Sequence, residues 1–233
     1  MKANIFFSAL SLSAALLLAG CDKDTEGVTG ITYYPSLSLD GDETVYVDKG
    51  ASYDEPGFYA ELNGEDVSDQ VSVVSDVDTE VSGVYSVSYS LVNADGFASS
   101  VTRKVVVTDP NDPVEGIYSV TPDSYRIYNG ATVAYGSSYD ILVLNQGDYY
   151  YFSDILGGWY DQRAGYGSAY ALECYASLEE DNSFSYIDSY LEGWGDSADS
   201  FTASFDPASM SISFETHYAS VIAFYVTMTK KSN

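Results

Sequence analysis

The sequence predicts an all-β protein made of two antiparallel β domains. Apolar and polar residues alternate with a period of two along most of the chain, and no long stretch carries the 3.6-residue period of an amphipathic helix. Tyr85, Val87 and Tyr89, for example, share one face of a predicted strand, with serines on the other. Asn-Gly pairs at 63–64 and 129–130 separate such runs, as tight antiparallel hairpins require.

Residues 1–20 have the features of a secretory signal peptide. Lys2 gives a positive start, an apolar run interrupted by serines follows, and small residues end it. The run is shorter than the roughly 20 apolar residues that a membrane-spanning helix needs. Residues 18–21, Leu-Ala-Gly-Cys, resemble the lipobox of bacterial lipoproteins. This resemblance implies cleavage before Cys21 and attachment of lipid to its thiol.

Residues 21–36 are predicted to form a tether between the lipid and the folded chain. The charged segment 22–26 resembles the short lysine-plus-acidic signal that sends lipoproteins of the Bacteroidetes to the outer face of the outer membrane. Several acyl chains on one cysteine make a stable anchor, since each buried methylene contributes about 0.8 kcal/mol. The resemblance therefore implies an outer-membrane protein that is lipid-anchored and faces the cell exterior. A plain solvated tether is the alternative.

Charge and cysteine content narrow the possible partners and chemistry. The formal net charge is -26, from 9 basic and 35 acidic residues, and such a surface repels the phosphate backbone of nucleic acids. Cys174, the second of two cysteines, alternates with Leu172 and Ala176. It is therefore expected to be a buried apolar residue rather than a reactive thiol or half of a disulfide.

A proline-containing segment, 110–113, divides the chain into two parts, 37–109 and 114–233. Its two prolines remove backbone donors and favour extended conformations, which suits a stiff linker. An acidic linker between β-sandwiches can also hold calcium, but the sequence identifies no ligand set for it. We therefore predict a plain linker, no metal site and no cofactor.

The first domain, 37–109, resembles the bacterial immunoglobulin-like (Ig-like) domains that are repeated in surface proteins. The likeness is carried by four segments: 50–58 (GASYDEPGF), 83–89 (GVYSVSY), 93–96 (NADG) and 103–107 (RKVVV). It implies a small β-sandwich that acts as a spacer and has no catalytic residues.

The second domain, 114–233, resembles the C-terminal domain of small Bacteroides lipoproteins that accompany SusC/SusD-like glycan-uptake pairs. The likeness is carried by 154–160 (DILGGWY), 193–196 (GWGD) and 224–230 (FYVTMTK). It implies binding of a polysaccharide or oligosaccharide at the cell surface beside such a transporter complex. The alternation itself predicts about eight strands between residues 116 and 229, in either an antiparallel barrel or a sandwich.

Two glycine-rich aromatic segments form the candidate ligand site. Sugars present apolar C–H faces edged with hydroxyls, and flat rings beside amide, carboxylate and guanidinium groups complement them. The candidate binding residues are Trp159, Tyr160, Asp161, Gln162, Arg163, Tyr166, Trp194 and Asp196. The glycines among them would let the backbone turn sharply or approach a ligand closely.

Packing is the competing interpretation for these rings, because the chain contains 23 tyrosines. Tyr170 alternates with Leu172 and is expected in the core. Trp159 and Tyr160, taken as adjacent strand residues, would face opposite sides, so only one can be core. If Trp159 is core, Tyr160 is the better ligand candidate. The rings could equally anchor a protein partner. The alternative function is therefore that of a structural or protein-interaction accessory lipoprotein, either a transporter partner or an adhesin.

No catalytic residues are predicted. His217, the single histidine, falls on the outer face of a predicted strand with Glu215, and the motifs of serine hydrolases, zinc proteases and dithiol enzymes are missing from the sequence. A glycosidase needs only two carboxylates, which the acidic residues could supply. Acidic runs such as 179–181 are, however, more typical of solvated turns.

Overall fold

The structure is a computed structural model that describes residues 31–231. The predicted signal peptide, the predicted lipidation site Cys21 and residues 22–30 of the predicted tether lie outside the described residues. Within residues 31–231 no helix is long and apolar enough to span a membrane. The described part of the chain forms seventeen strands and three short helical turns, which confirms the all-β prediction.

The Ig-like domain is a two-sheet sandwich. Its seven strands are β1 (Ser36–Leu39), β2 (Thr44–Asp48), β3 (Phe58–Leu62), β4 (Glu65–Asp66), β5 (Ser72–Ser75), β6 (Gly83–Val92) and β7 (Ala98–Thr108). One sheet has the order β1-β3-β4 and the other β2-β7-β6-β5, with β2 and β7 parallel. Tyr85, Val87 and Tyr89 face the core between the sheets, as their alternation predicts.

The second domain is an antiparallel barrel with an added hairpin. Its strands are β8 (Gly116–Val120), β9 (Tyr125–Tyr128), β10 (Ala131–Ala134), β11 (Asp140–Asn145), β12 (Tyr150–Phe152), β13 (Leu172–Leu178), β14 (Ser183–Leu191), β15 (Ser200–Asp206), β16 (Ser211–Tyr218) and β17 (Ile222–Lys230). Eight of them close into a ring because the last residues of β17 pair with β8. The expected strand count of about eight is too low, since β9 and β10 form a further hairpin on the first half of β17.

Inward-facing side chains fill the barrel. On β16 and β17 these include Ile212, Phe214 and Phe224, which are buried as their alternation predicts. Each such side chain contributes about 1.5–3 kcal/mol relative to exposure. Cys174 is a free, fully buried residue of the same core, and burial raises the pKa of its thiol. It is therefore an unreactive apolar side chain here.

Hydrogen bonds fix the segment between the two domains. The Asp112 carboxylate accepts from Asn145 Nδ2 at 2.7 Å. The Glu115 carboxylate accepts from the backbone N–H of Asp109 at 2.8 Å and from that of Asn145 at 3.2 Å. Throughout residues 31–231 no three His, Cys, Asp or Glu side chains converge as a metal site would require. Side-chain hydrogen bonds thus tie residues 109–115 to one another and to Asn145 at the end of β11.

The Ig-like domain lies alongside the barrel. Val106 is on the outward face of β7, yet only 3% of it is exposed. Around it, residues of β2, β6 and β7 line the same depression as residues of β8, β11, β12 and β13. The outer face of one Ig-like sheet is therefore covered by the barrel wall.

Candidate functional site

The candidate site lies at the end of the barrel that is closed by loop 153–171, the connection between β12 and β13. The loop contains a π-helical turn, Trp159–Arg163, and a 3-10 turn, Ser168–Tyr170. The Arg163 N–H bonds the Gly158 carbonyl at 2.8 Å, and the Ala164 N–H bonds that of Trp159 at 3.1 Å. The treatment of Trp159 and Tyr160 as adjacent strand residues is therefore wrong.

Two consecutive glycines turn the chain into this π-helical turn. Gly157 and Gly158 have φ values of 62° and 79°, in the left-handed region that glycine adopts most readily. A Cβ on Gly158 would lie 2.8 Å from Tyr139 Cβ, and one on Gly157 would lie 3.0 Å from Val226 Cγ2. The glycines were predicted either to turn the backbone sharply or to let it approach a ligand closely. Gly157 and Gly158 make a sharp turn that packs closely on the barrel.

Asp154 is buried and holds both ends of loop 153–171. Its Oδ1 accepts hydrogen bonds from the backbone N–H groups of Leu156 at 2.8 Å and Leu172 at 3.0 Å, and its Oδ2 accepts one from Gly158 at 2.8 Å. The residue is 1% exposed. Burial raises the pKa of Asp154 to about 7, although the three hydrogen bonds act in the opposite direction. The loop backbone is thus fixed by hydrogen bonds from within the protein.

Trp159 is a core residue and does not present its ring to solvent, because only 4% of it is exposed. Tyr135 and Phe224 meet its ring edge-to-face at centroid distances of 4.9 and 6.0 Å. The guanidinium groups of Arg126 and Arg163 lie 4.4 and 4.1 Å from its centroid, within cation–π range. Trp159 therefore packs in the barrel core beneath loop 153–171. Because its ring is buried, it cannot stack on a ligand.

An exposed pocket is lined by two rings predicted to bind a ligand, Tyr166 and Trp194, and by Tyr170, which was expected in the core. Tyr166, Tyr170 and Trp194 line this open pocket of about 470 Å³, here called the aromatic pocket. Tyr166 is 57% exposed and Trp194 45%. The Tyr170 ring lies 5.4 Å from that of Tyr166 and 5.1 Å from that of Trp194, in edge-to-face geometry. Tyr170 also packs against the barrel core, so it has both roles.

The half-buried Tyr160 and the buried Tyr218 hold the exposed rings in place. The Tyr160 ring stacks on Tyr166 at 6.2 Å and meets Trp194 edge-to-face at 4.9 Å. Tyr218 stacks on Trp194 at 6.2 Å, and its hydroxyl is 2.8 Å from each carboxylate oxygen of Asp196. The structure thus brings together four of the predicted binding residues: Tyr160, Tyr166, Trp194 and Asp196. Tyr218 was missed, because its alternation on β16 indicates only a buried position.

A second glycine contact joins the two loops that carry the pocket. The Gly193 N–H donates to the Ala169 carbonyl at 2.6 Å, linking the β14–β15 loop to loop 153–171. A Cβ on Gly193 would lie 2.7 Å from Tyr170 Cε1. Glycine at this position therefore lets Tyr170 pack directly beneath the loop that presents Trp194.

The remaining predicted residues lie on other sides of loop 153–171. The Gln162 side chain clamps the backbone of Asp140, accepting its N–H at 3.1 Å and donating to its carbonyl at 2.8 Å. Asp161 faces the Ig-like domain, where burial raises its pKa and the charge of Lys104 opposes that rise. Arg163 donates its Nε–H to the Tyr135 carbonyl at 3.1 Å. None of these three lines the aromatic pocket.

His217 lies apart from this site. Its Nε2 is 2.7 Å from Glu215 Oε1, and both side chains are exposed on the barrel wall. The pair therefore lies on the outer face of β16, as the alternation predicts, and neither residue lines the aromatic pocket.

Comparison with known proteins identifies a lipoprotein with a surface Ig-like domain. Residues 37–107 match the family model of the bacterial surface protein Ig-like domain, and residues 107–230 match the model of a C-terminal domain. The lipoprotein BT2262 from Bacteroides thetaiotaomicron is 39% identical, with a TM-score of 0.74. The match covers 84% of this chain and 100% of BT2262. The chain belongs to the family of BT2262, and this kinship indicates a location in the cell envelope.

Other similarities are much weaker. Two structures of Clostridium perfringens ZmpB match part of the chain, one of CBM51-2 with GlcNAc and INT domains and one of the M60 catalytic domain with CBM51-1 and CBM51-2. They are 18% and 20% identical, have TM-scores of 0.27 and 0.28, and cover 49% and 52% of this chain and 30% and 15% of theirs. None of the curated proteins compared with the chain matches it.

Proposed function

We propose that this protein is a lipid-anchored lipoprotein on the exterior of the outer membrane that binds a glycan in the aromatic pocket for a SusC/SusD-like uptake system. The observation that carries the proposal is the convergence of Tyr166, Tyr170 and Trp194 on one open pocket. Ring faces of this kind cover the apolar C–H face of a sugar, and barrel ends are common ligand sites.

The polar surroundings of the pocket also suit a sugar. Asp196 is exposed and is oriented by the Tyr218 hydroxyl, so its free lone pairs can accept hydrogen bonds from sugar hydroxyls. Tyr160 and Tyr218 already hold the rings, which reduces the entropy lost on binding. The net charge of -26 favours neutral glycans over polyanions.

The test is native affinity electrophoresis of residues 22–233 in gels that contain plant, fungal or host polysaccharides. Trp194→Ala and Tyr166→Ala should each weaken retardation at least about tenfold, equivalent to about 1.4 kcal/mol of binding free energy. Tyr59→Ala is the matched control, because Tyr59 is an exposed tyrosine on β3 of the Ig-like domain. It should bind like the unaltered protein.

Two outcomes would overturn the proposal. The first is that no polysaccharide retards the protein. The second is that Trp194→Ala and Tyr166→Ala are retarded as strongly as Tyr59→Ala. Copurification with an outer-membrane complex that depends on Trp194 would then favour the protein-interaction alternative, since tyrosine and tryptophan also anchor protein interfaces.

We also propose that the role is non-catalytic. No enzyme family is among the matched models. Incubation of a retarded polysaccharide with the protein should release no new reducing ends. Release that persists in highly purified protein and is lost on substitution of a carboxylate near the aromatic pocket would contradict this part of the proposal.

A further inference from the structure

A second depression lies between the Ig-like domain and the barrel. It has a volume of about 490 Å³ and is here called the interdomain cleft. The Ig-like domain contributes Tyr46 and Lys104, and the barrel contributes Tyr151, Asp161 and Glu173. The cleft thus combines an exposed ring, an ammonium group, two carboxylates and a phenol hydroxyl. Groups of these kinds recognise sugar hydroxyls and sugar faces.

The Ig-like side of the cleft is built on a sheet. Tyr46 on β2 pairs in register with Val106 on β7, and Thr44 pairs with Lys104. Side chains at alternate positions share a face, so Tyr46 and Lys104 point the same way as Val106, which the barrel covers. The packing of Val106 against the barrel therefore holds in place the sheet face that carries Tyr46 and Lys104.

The barrel side is equally ordered. Tyr151 donates its hydroxyl to Glu173 Oε1 at 2.8 Å, which holds that carboxylate on the barrel wall. Asp161 belongs to the π-helical turn, whose backbone is clamped by the hydrogen bonds of Gln162 with Asp140. Both carboxylates thus sit on restrained backbone.

Loop 153–171 separates the cleft from the aromatic pocket. Ser168 lines the cleft and Tyr170 lines the pocket, yet they belong to the same 3-10 turn. Two residues of chain span at most about 7 Å, so the margins of the two depressions are close together. A chain of a few sugars is long enough to cross this ridge.

We propose that the interdomain cleft is a second carbohydrate subsite, and that a glycan held in the aromatic pocket continues over loop 153–171 to contact Tyr46 and Lys104. This inference rests on the proposed function of the aromatic pocket. Its ligand is a neutral oligosaccharide longer than the pocket can hold. The Ig-like domain, which the family resemblance implies is a spacer, then forms part of the binding surface.

The test is calorimetric titration of residues 22–233 with cello-, xylo-, manno- and malto-oligosaccharides, each as the dimer, tetramer and octamer. The series that binds should show an affinity gain of about tenfold or more between the short and long members, because the second contact is intramolecular. Tyr46→Ala and Lys104→Ala should abolish this gain and leave the affinity for the short members unchanged. Tyr59→Ala and Lys49→Ala, exposed residues of the same domain outside the cleft, should retain it.

The outcomes separate the two proposals. The cleft is not a subsite if short and long members bind with equal affinity, or if the affinity gain persists in both cleft variants. If binding is still weakened by Trp194→Ala in that case, the proposal for the aromatic pocket stands. If no member binds at any length, the cleft subsite and the glycan-binding function both fail.

Discussion

In each domain a buried ionisable side chain fixes surrounding loops, but Arg103 in the Ig-like domain and Asp154 in the barrel are compensated differently. In the Ig-like domain Arg103, fully buried, donates to the carbonyls of Asp40 and Gly57 at 2.7 and 2.9 Å and to Glu55 Oε1 at 2.7 Å. In the barrel Asp154 accepts three backbone hydrogen bonds. Among residues 31–231 no cationic side chain forms an ion pair with it.

This difference determines which domain responds to pH. Burial acts to raise the pKa of Glu55, but hydrogen bonds, chiefly from Tyr53 and Arg103, outweigh it and lower the pKa. Asp154 is compensated by backbone dipoles alone, and burial raises its pKa to about 7. The carboxylate that pairs with Arg103 in the Ig-like domain therefore has a lowered pKa, whereas loop 153–171 is held by a carboxyl group whose pKa is raised to about 7.

The largest effect is expected for Arg103→Met. This change leaves Glu55 and several loop carbonyls without their buried partner, and breaking a buried ion pair in this way costs about 3–5 kcal/mol of unfolding free energy. Urea unfolding measured by circular dichroism should show this loss. Fluorescence of Trp159 and Trp194, both in the barrel, should show a much smaller change.

Lys104→Met is the control for that comparison, since Lys104 is the exposed neighbour of Arg103 on β7. It should leave the urea midpoint almost unchanged. A loss below about 1 kcal/mol in Arg103→Met would mean that the buried arginine does not organise the Ig-like loops.

The next effect is the pH dependence of the barrel. The folded pKa of Asp154 is raised above its unfolded value, so its stabilising contribution is complete below the unfolded pKa and is lost as pH rises through about 7. Between pH 5 and pH 8 the barrel should lose roughly 2 kcal/mol relative to Asp154→Asn, which has no carboxyl group to titrate. The measurement is urea unfolding at both pH values with tryptophan fluorescence.

Asp148→Asn, at an exposed aspartate, provides the comparison for this pH series and should follow the unaltered protein. Parallel stability curves for the unaltered protein and Asp154→Asn would refute the assignment of the pH response to Asp154.

The same contrast explains how far the sequence predicts this molecule. Strands such as β6, β16 and β17 follow from alternation, because each residue's environment depends on near neighbours along the strand. Loop 153–171 has no such period, and its shape depends on the hydrogen bond between Asp154 and Leu172 at the other end of the loop. The glycines and aromatic residues of this loop therefore predicted a candidate site, but they did not predict that its backbone forms a π-helical turn.

The roles of single rings were still less predictable. Trp159 and Trp194 both follow glycine, yet one is core and the other exposed, because one loop enters the barrel and the other lies over it. Tyr218 was predictable as buried, but its bond to Asp196 joins β16 to the β14–β15 loop. Contacts between loops distant in sequence leave no periodic signal in a single chain.

A smaller effect is expected for Gly193→Ala. The added Cβ would meet Tyr170 at 2.7 Å, so the ring or the β14–β15 loop must move, at a cost of about 1–2 kcal/mol to the barrel. Retardation by a polysaccharide should weaken several-fold because Tyr170 and Trp194 separate. Glu192→Ala, at the exposed neighbour, should change neither quantity. Unaltered retardation in Gly193→Ala would show that the pocket does not depend on this packing.

The smallest effect on stability is expected for Tyr218→Phe. The hydroxyl that bonds Asp196 is removed while the ring beneath Trp194 stays, and the loss should be about 1 kcal/mol or less because water can solvate the exposed Asp196. Thermal melting measures this change, with Tyr190→Phe, at an exposed tyrosine of β14, as the control.

Tyr218→Phe also separates the contribution of the rings from that of the carboxylate. If glycan affinity falls several-fold while melting hardly changes, Asp196 contacts the sugar, and Tyr218 acts by orienting it. If affinity is unchanged, the stacked rings alone carry recognition. In that case Tyr218 and Asp196 serve only to hold the β14–β15 loop beside Trp194.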